Sequence, residues 1–103
     1  MLQYKINFDD IEWDSPIEGV RCKTYRYANK QMRFVEYTKE MTLHWCEKSH
    51  YGVILEGIFE IIYSNERLIY KEGDGVFIPG GPVHKHKGRA ITESTKVLFV
   101  EDI

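Results

Sequence analysis

The sequence predicts an all-β protein, a small sandwich or barrel of antiparallel strands, and three observations carry that prediction. Apolar and polar residues alternate in short runs, and aromatic and β-branched residues dominate those runs. Turn-forming residues return at short intervals between them, as in small sandwiches and barrels. No segment has the apolar spacing of a long helix. With 103 residues the chain reads as one domain, 1–103, whose core spans about 20–101 behind a lead-in of residues 1–19.

The elements follow in order. Residues 7–16 are polar and acidic around Trp13 and Pro16 and read as irregular. Residues 20–27 and 32–38 are rich in strand formers, and the break Ala28-Asn29-Lys30-Gln31 joins them as a hairpin. His44 and Cys46 fall on a predicted strand. Residues 51–55 and 58–63 are the most apolar stretch, with a turn or sharp bend at Gly57. A polar turn at 64–66 precedes a strand at 67–71, and Gly73-Asp74-Gly75 marks the next turn. Residues 76–78 form a short strand ended by Pro79-Gly80-Gly81-Pro82, and residues 96–101 form the last strand.

Composition narrows the function classes. At 43% hydrophobic residues the chain is too apolar for disorder. A formal net charge of −2 gives no basic excess to neutralise a phosphate backbone, which argues against nucleic-acid binding. The N-terminus has no apolar signal core, and the apolar runs are too short to span a membrane, so a soluble cytoplasmic protein is expected. Two cysteines do not make a disulfide scaffold; Cys22 and Cys46 could pair or stand free.

The chemistry concentrates in the histidines and one cysteine. His44 and Cys46 are two apart on the predicted strand, so they would share a face. His50 follows past a bend at Lys48-Ser49, and the Pro-Gly turn places His84 at the start of a strand, where His86 would share its inward face. Imidazole and thiolate both suit a transition metal. For His44 or Cys46 alone, ordinary burial is the commoner explanation; together they favour a metal. Most aromatic residues, Tyr25, Tyr27, Phe34, Tyr37, Trp45, Tyr51, Phe59, Tyr63 and Phe77 among them, read as core or as cover for one sheet, with Tyr25 or Tyr27 the candidates for a pocket wall. Arg21, Arg26 and Arg33 could bind a carboxylate substrate, although exposed arginines are commoner.

The spacing resembles that of the cupin superfamily. Cupins carry a first motif of His-x-His, three or four residues, a Glu, six residues and a Gly. Their second motif is Gly, five residues, Pro-x-Gly, two residues and a His. Here Gly73, Pro79-Gly80-Gly81 and His84 match the second motif. His44, Cys46, His50 and Gly57 match the first in spacing, with Cys in place of a His and His in place of the Glu. Thr38 stands where a Gly is expected before the first motif, and Gly88 where an Asn often follows the second.

The resemblance implies a double-stranded β-helix, a jelly-roll barrel, that pairs as a homodimer. It also implies a divalent metal ion, iron, zinc, nickel or manganese, held by His44, Cys46, His50 and His84. All four ligands would make a closed, structural zinc site. With Cys46 standing off, the three imidazoles would resemble the open iron site of the thiol dioxygenase branch. His86 reads as an outer hydrogen-bond donor, a substitute ligand or a general acid/base. Three functions fit these expectations. One is a metal-dependent oxygenase or isomerase acting on a small polar molecule. The others are a non-enzymatic ligand-binding or sensing module, with a metal or without one, and a barrel whose metal is purely structural.

Overall fold

The computed structural model describes residues 2–103. Nine strands form two antiparallel sheets. They are β1 (Asp14–Ile17), β2 (Val20–Tyr27), β3 (Lys30–Thr38), β4 (His50–Glu56), β5 (Phe59–Tyr63), β6 (Arg67–Tyr70), β7 (Gly75–Ile78), β8 (His86–Ala90) and β9 (Ser94–Asp102). The larger sheet has the order β1-β2-β3-β9-β4-β7, and the smaller has β6-β5-β8. This is the expected all-β jelly roll. No helix among the described residues is long and apolar enough to cross a membrane.

The β2–β3 hairpin forms where the alternation places it, with Tyr27 opposite Lys30 across a two-residue connection in which Ala28 takes φ 54°. Gly57 turns the chain from β4 into β5 at φ 87°, and a Cβ there would lie 2.5 Å from the Ser94 carbonyl oxygen. That position therefore excludes a side chain on two counts. The nine-residue β9 lies inside the larger sheet, pairing with β3 on one side and β4 on the other. Its alternate residues Thr95, Val97, Phe99 and Glu101 are all buried. With Val35, Ile54, Phe59, Ile61, Val76 and Ile78, the apolar members of that row form the core.

The lead-in is more ordered than its composition predicts. Phe8–Asp10 form a 3-10 turn capped by the Asn7 side chain, which accepts from the Asp9 amide. Asp14–Ile17 add an edge strand. Pro16 lacks an amide hydrogen and is tolerated there because an edge strand leaves one side unpaired. Phe8 and Trp13 pack on Phe34, on the outer face of the larger sheet, with ring centroids 5.9 and 5.8 Å away. Farther along the same face Phe77 stands 79% exposed beside Tyr51, so of the two places expected for the aromatic residues it takes the sheet surface and not the core.

Two local departures decide the site. Residues 42–45 form no strand, and Cys46 makes only an isolated bridge with His86. Between Gly81, at φ 112°, and Lys85, Pro82–His84 close a 3-10 turn, so β8 begins at His86 and not at His84. Pro82 suits the first position of such a turn because its φ is already fixed and its missing amide hydrogen is not needed.

Candidate metal centre

The side chains that converge inside the barrel are Cys46, His50 and His86. Their donor atoms all lie within 4.8 Å of one another. Three elements bring them together. His50 opens β4, and His86 opens β8 on the opposite sheet. Cys46 is fixed by paired backbone bonds to His86, amide to carbonyl at 2.7 and 2.9 Å. The expected set of His44, Cys46, His50 and His84 does not assemble. His44 is exposed on the irregular segment, with its Nδ1 3.1 Å from the Thr42 carbonyl oxygen. Without a strand, the two-residue spacing to Cys46 no longer puts both side chains on one face. His84 is exposed because it sits in the 3-10 turn.

Each imidazole of the cluster is oriented from behind. The Nδ1 of His86 donates to the His84 carbonyl at 3.0 Å, so its Nε2 faces inward with a free lone pair. That Nε2 is buried with no hydrogen-bond partner among the described residues. His50 Nδ1 donates to Glu101 Oε2 at 2.5 Å, and His50 Nε2 lies 3.7 Å from Cys46 Sγ. Glu101 is held in turn by Arg33, at 2.5 and 2.7 Å to its two oxygens, and by Gln31 at 2.8 Å. Carboxylate and carbonyl partners behind histidine are the usual support of a metal ligand.

The electrostatics follow from this packing. The contact with His50 Nε2, and then the nearby His86 imidazole, draw the Cys46 thiol down to about 5 against burial. Burial works to lower the His50 imidazole, but Cys46 and Glu101 outweigh it and hold it above its ordinary value. Burial works to raise Glu101, and the bonds from His50 and Arg33 bring it down to about 2. These shifts all run in the same sense, toward charge on Cys46, His50 and Glu101.

The donor set fits a transition-metal ion. Ligand atoms about 2.0–2.3 Å from one tetrahedral ion stand roughly 3.3–3.8 Å apart, which the Cys46–His50 separation already meets. A metal would take the lone pair that His86 Nε2 leaves unused and would displace the proton on His50. Three protein ligands leave a tetrahedral position open. The cluster lies in the wall of a cavity of about 1120 Å³.

Two further residues matter here. Sequence reasoning passed over Glu101, although it ends the buried row Thr95, Val97, Phe99, an acid at an inward position of an apolar strand. Tyr37 lines the cavity, whereas Tyr25 and Tyr27 do not. Arg26 and Arg33 also line it, but Arg33 is engaged with Glu101 and Arg21 pairs with Glu36. Both cysteines are free.

A family model described as the cupin domain matches residues 32–101. No curated protein matches the chain. Among solved structures, KdgF from Halomonas sp. is similar over 97% of this chain and 94% of its own, at 21% identity and a TM-score of 0.75. An RmlC-like cupin from Shewanella frigidimarina is similar over 98% and 91%, at 12% identity and a TM-score of 0.76. The iron(II) form of HppE is similar over 93% of this chain but 58% of its own, at 12% identity and a TM-score of 0.76. Likeness at these identities concerns the fold.

Proposed function

The chain belongs to the cupin domain family, and from that premise we propose that it is a metal-binding cupin whose ion is held by Cys46, His50 and His86. One observation carries the reading. Three donor atoms from three separate segments meet inside the barrel, and one of them, His86 Nε2, is buried with no hydrogen-bond partner among the described residues. An unsatisfied buried nitrogen costs about 1–3 kcal/mol, and a metal bond would remove that cost. One thiolate and two imidazoles suit iron, zinc or nickel better than manganese, which prefers oxygen ligands.

The site supports an enzyme acting on a small molecule from the cavity. When bound, the ion would supply Lewis-acid polarisation of a substrate oxygen, as an isomerase requires, and a redox-active ion would add oxygen chemistry. The protein's part is orientation. Glu101 and the His84 carbonyl fix the two imidazoles, both of which are buried. A ligand-binding or sensing module is the second reading, favoured by the size of the cavity, which exceeds what a purely structural ion needs.

Metal analysis of untagged protein, as purified and after reconstitution under reducing conditions, tests the proposal. Near-stoichiometric iron, zinc or nickel is expected. If no metal is found or taken up, the proposal fails, and Cys46, His50 and Glu101 are left as a nucleophile, base and orienting acid in a row.

A further inference from the structure

Asp14, Glu47 and Lys48 line the cavity as exposed residues, whereas most of the buried polar groups of its wall are engaged with one another. Glu101 accepts from Arg33, Gln31 and His50. Arg26 donates to Gln31 at 2.9 Å, and the Thr24 hydroxyl lies 3.8 Å from Cys22 Sγ. The rest of the buried wall is apolar, with Val20, Met41, Phe59, Ile61 and Ile78 lining it. Phe59 can lie there because residue 88 is glycine; a Cβ at Gly88 would come within 2.5 Å of the ring.

Tyr37 is the exception. Its ring packs against Phe59 at 4.8 Å, and its hydroxyl takes part in none of the bonds just described. Burial keeps that hydroxyl protonated well above its ordinary range, against the pull of Arg33, and Glu101 and Cys46 act on it in the same direction as burial. It is a hydrogen-bond donor on an apolar floor, within electrostatic reach of the cluster.

We infer that the cavity takes a small molecule with a compact apolar body and one oxygen-bearing head. The body lies over Phe59 and Tyr37, and the head meets the Cys46–His50–His86 centre with a hydrogen bond from Tyr37. A polyhydroxylated body lying over Phe59 and Ile61 would leave its hydroxyls there without partners, which disfavours it at that floor. This rests on the metal-centre reading, because the head needs the ion as its anchor. It departs from the small polar substrate expected from sequence.

The test uses cobalt(II)-loaded protein and two hydroxamates that present the same chelating head. Benzohydroxamate adds an apolar ring to it, and acetohydroxamate adds a methyl group. Both are titrated by the visible absorption of the cobalt and compared with their binding to free cobalt. Benzohydroxamate is expected to bind about tenfold more tightly or better, from burial of the ring. Tyr37→Phe is expected to weaken it about fivefold, the worth of one hydrogen bond. Equal affinity for the two hydroxamates, or a Tyr37→Phe protein that binds benzohydroxamate as the parent does, overturns this inference and leaves the metal centre standing. Failure to take up cobalt overturns both.

Discussion

The two ends of the barrel interior are built from the same strands and differ in what those strands point inward. On β4 the inward residue is His50 at one end and Ile54 at the other. On β8 it is His86 and then Ala90, and on β9 it is Glu101 and then Val97. One end is a closed apolar plug in which Ile54, Val35 and Val97 are almost fully buried. The other is a cavity wall carrying a thiol, two imidazoles and a carboxylate clamped by an arginine. Strand alternation decides which residues face in, and position along the strand decides whether they stabilise or react. The plug holds the strands in register, so that side chains from three segments can meet at the open end.

Breaking the plug should cost stability and spare the chemistry. Ile54→Ala is expected to lower unfolding stability by about 2–5 kcal/mol, the usual cost of a buried large-to-small change. Measured by urea denaturation, that loss should leave metal stoichiometry in the folded protein unchanged. A variant that lost metal in proportion to stability would show that the two ends are not separable.

Breaking the open end should do the reverse. Glu101→Gln keeps the shape of the side chain but removes the charge behind His50, and metal affinity is expected to fall about 10–100-fold. The same variant carries a pH signature in metal-free protein. Glu101 has its folded pKa lowered from 4.5 to about 2, so its contribution to stability is present above about pH 4.5 and is lost as pH falls toward 2. Thermal melts of Glu101→Gln across that window should depend less steeply on pH than those of the parent. Identical slopes would mean that Glu101 does not form its charged pairs with Arg33 and His50 in solution.

The same contrast explains what the sequence made legible. The alternating rows of β2, β3 and β9 are visible because burial on one face enforces period two, and an antiparallel sandwich or barrel follows from them; the jelly roll is what the motif resemblance implies. The polar run His86-Lys87-Gly88-Arg89-Ala90 carries no strand pattern of its own; the Pro-Gly turn implies a strand from His84, and β8 starts two residues later, at His86, to close the smaller sheet. At the site, spacing singled out Cys46 and His50. His44 and His84 were included because the reading assumed strand where the chain runs irregularly before Cys46 and turns at Pro82. His86 was legible as a possible substitute ligand, and only the start of β8 two residues after His84 shows why it faces in. Glu101 was legible in principle as an acid ending a buried row, but its partners Arg33 and Gln31 lie about seventy residues earlier, beyond the reach of any local motif.

The central claim is that the metal centre is Cys46, His50 and His86, with His44 and His84 outside it. Metal content after cobalt or zinc reconstitution should be measured on two double variants, His50→Ala/His86→Ala and His44→Ala/His84→Ala, each verified as folded by circular dichroism. The account predicts that the first pair loses the ion and the second retains it at the parent's stoichiometry. Loss of metal in the second pair with retention in the first would contradict it and restore the ligand set that motif spacing alone implies.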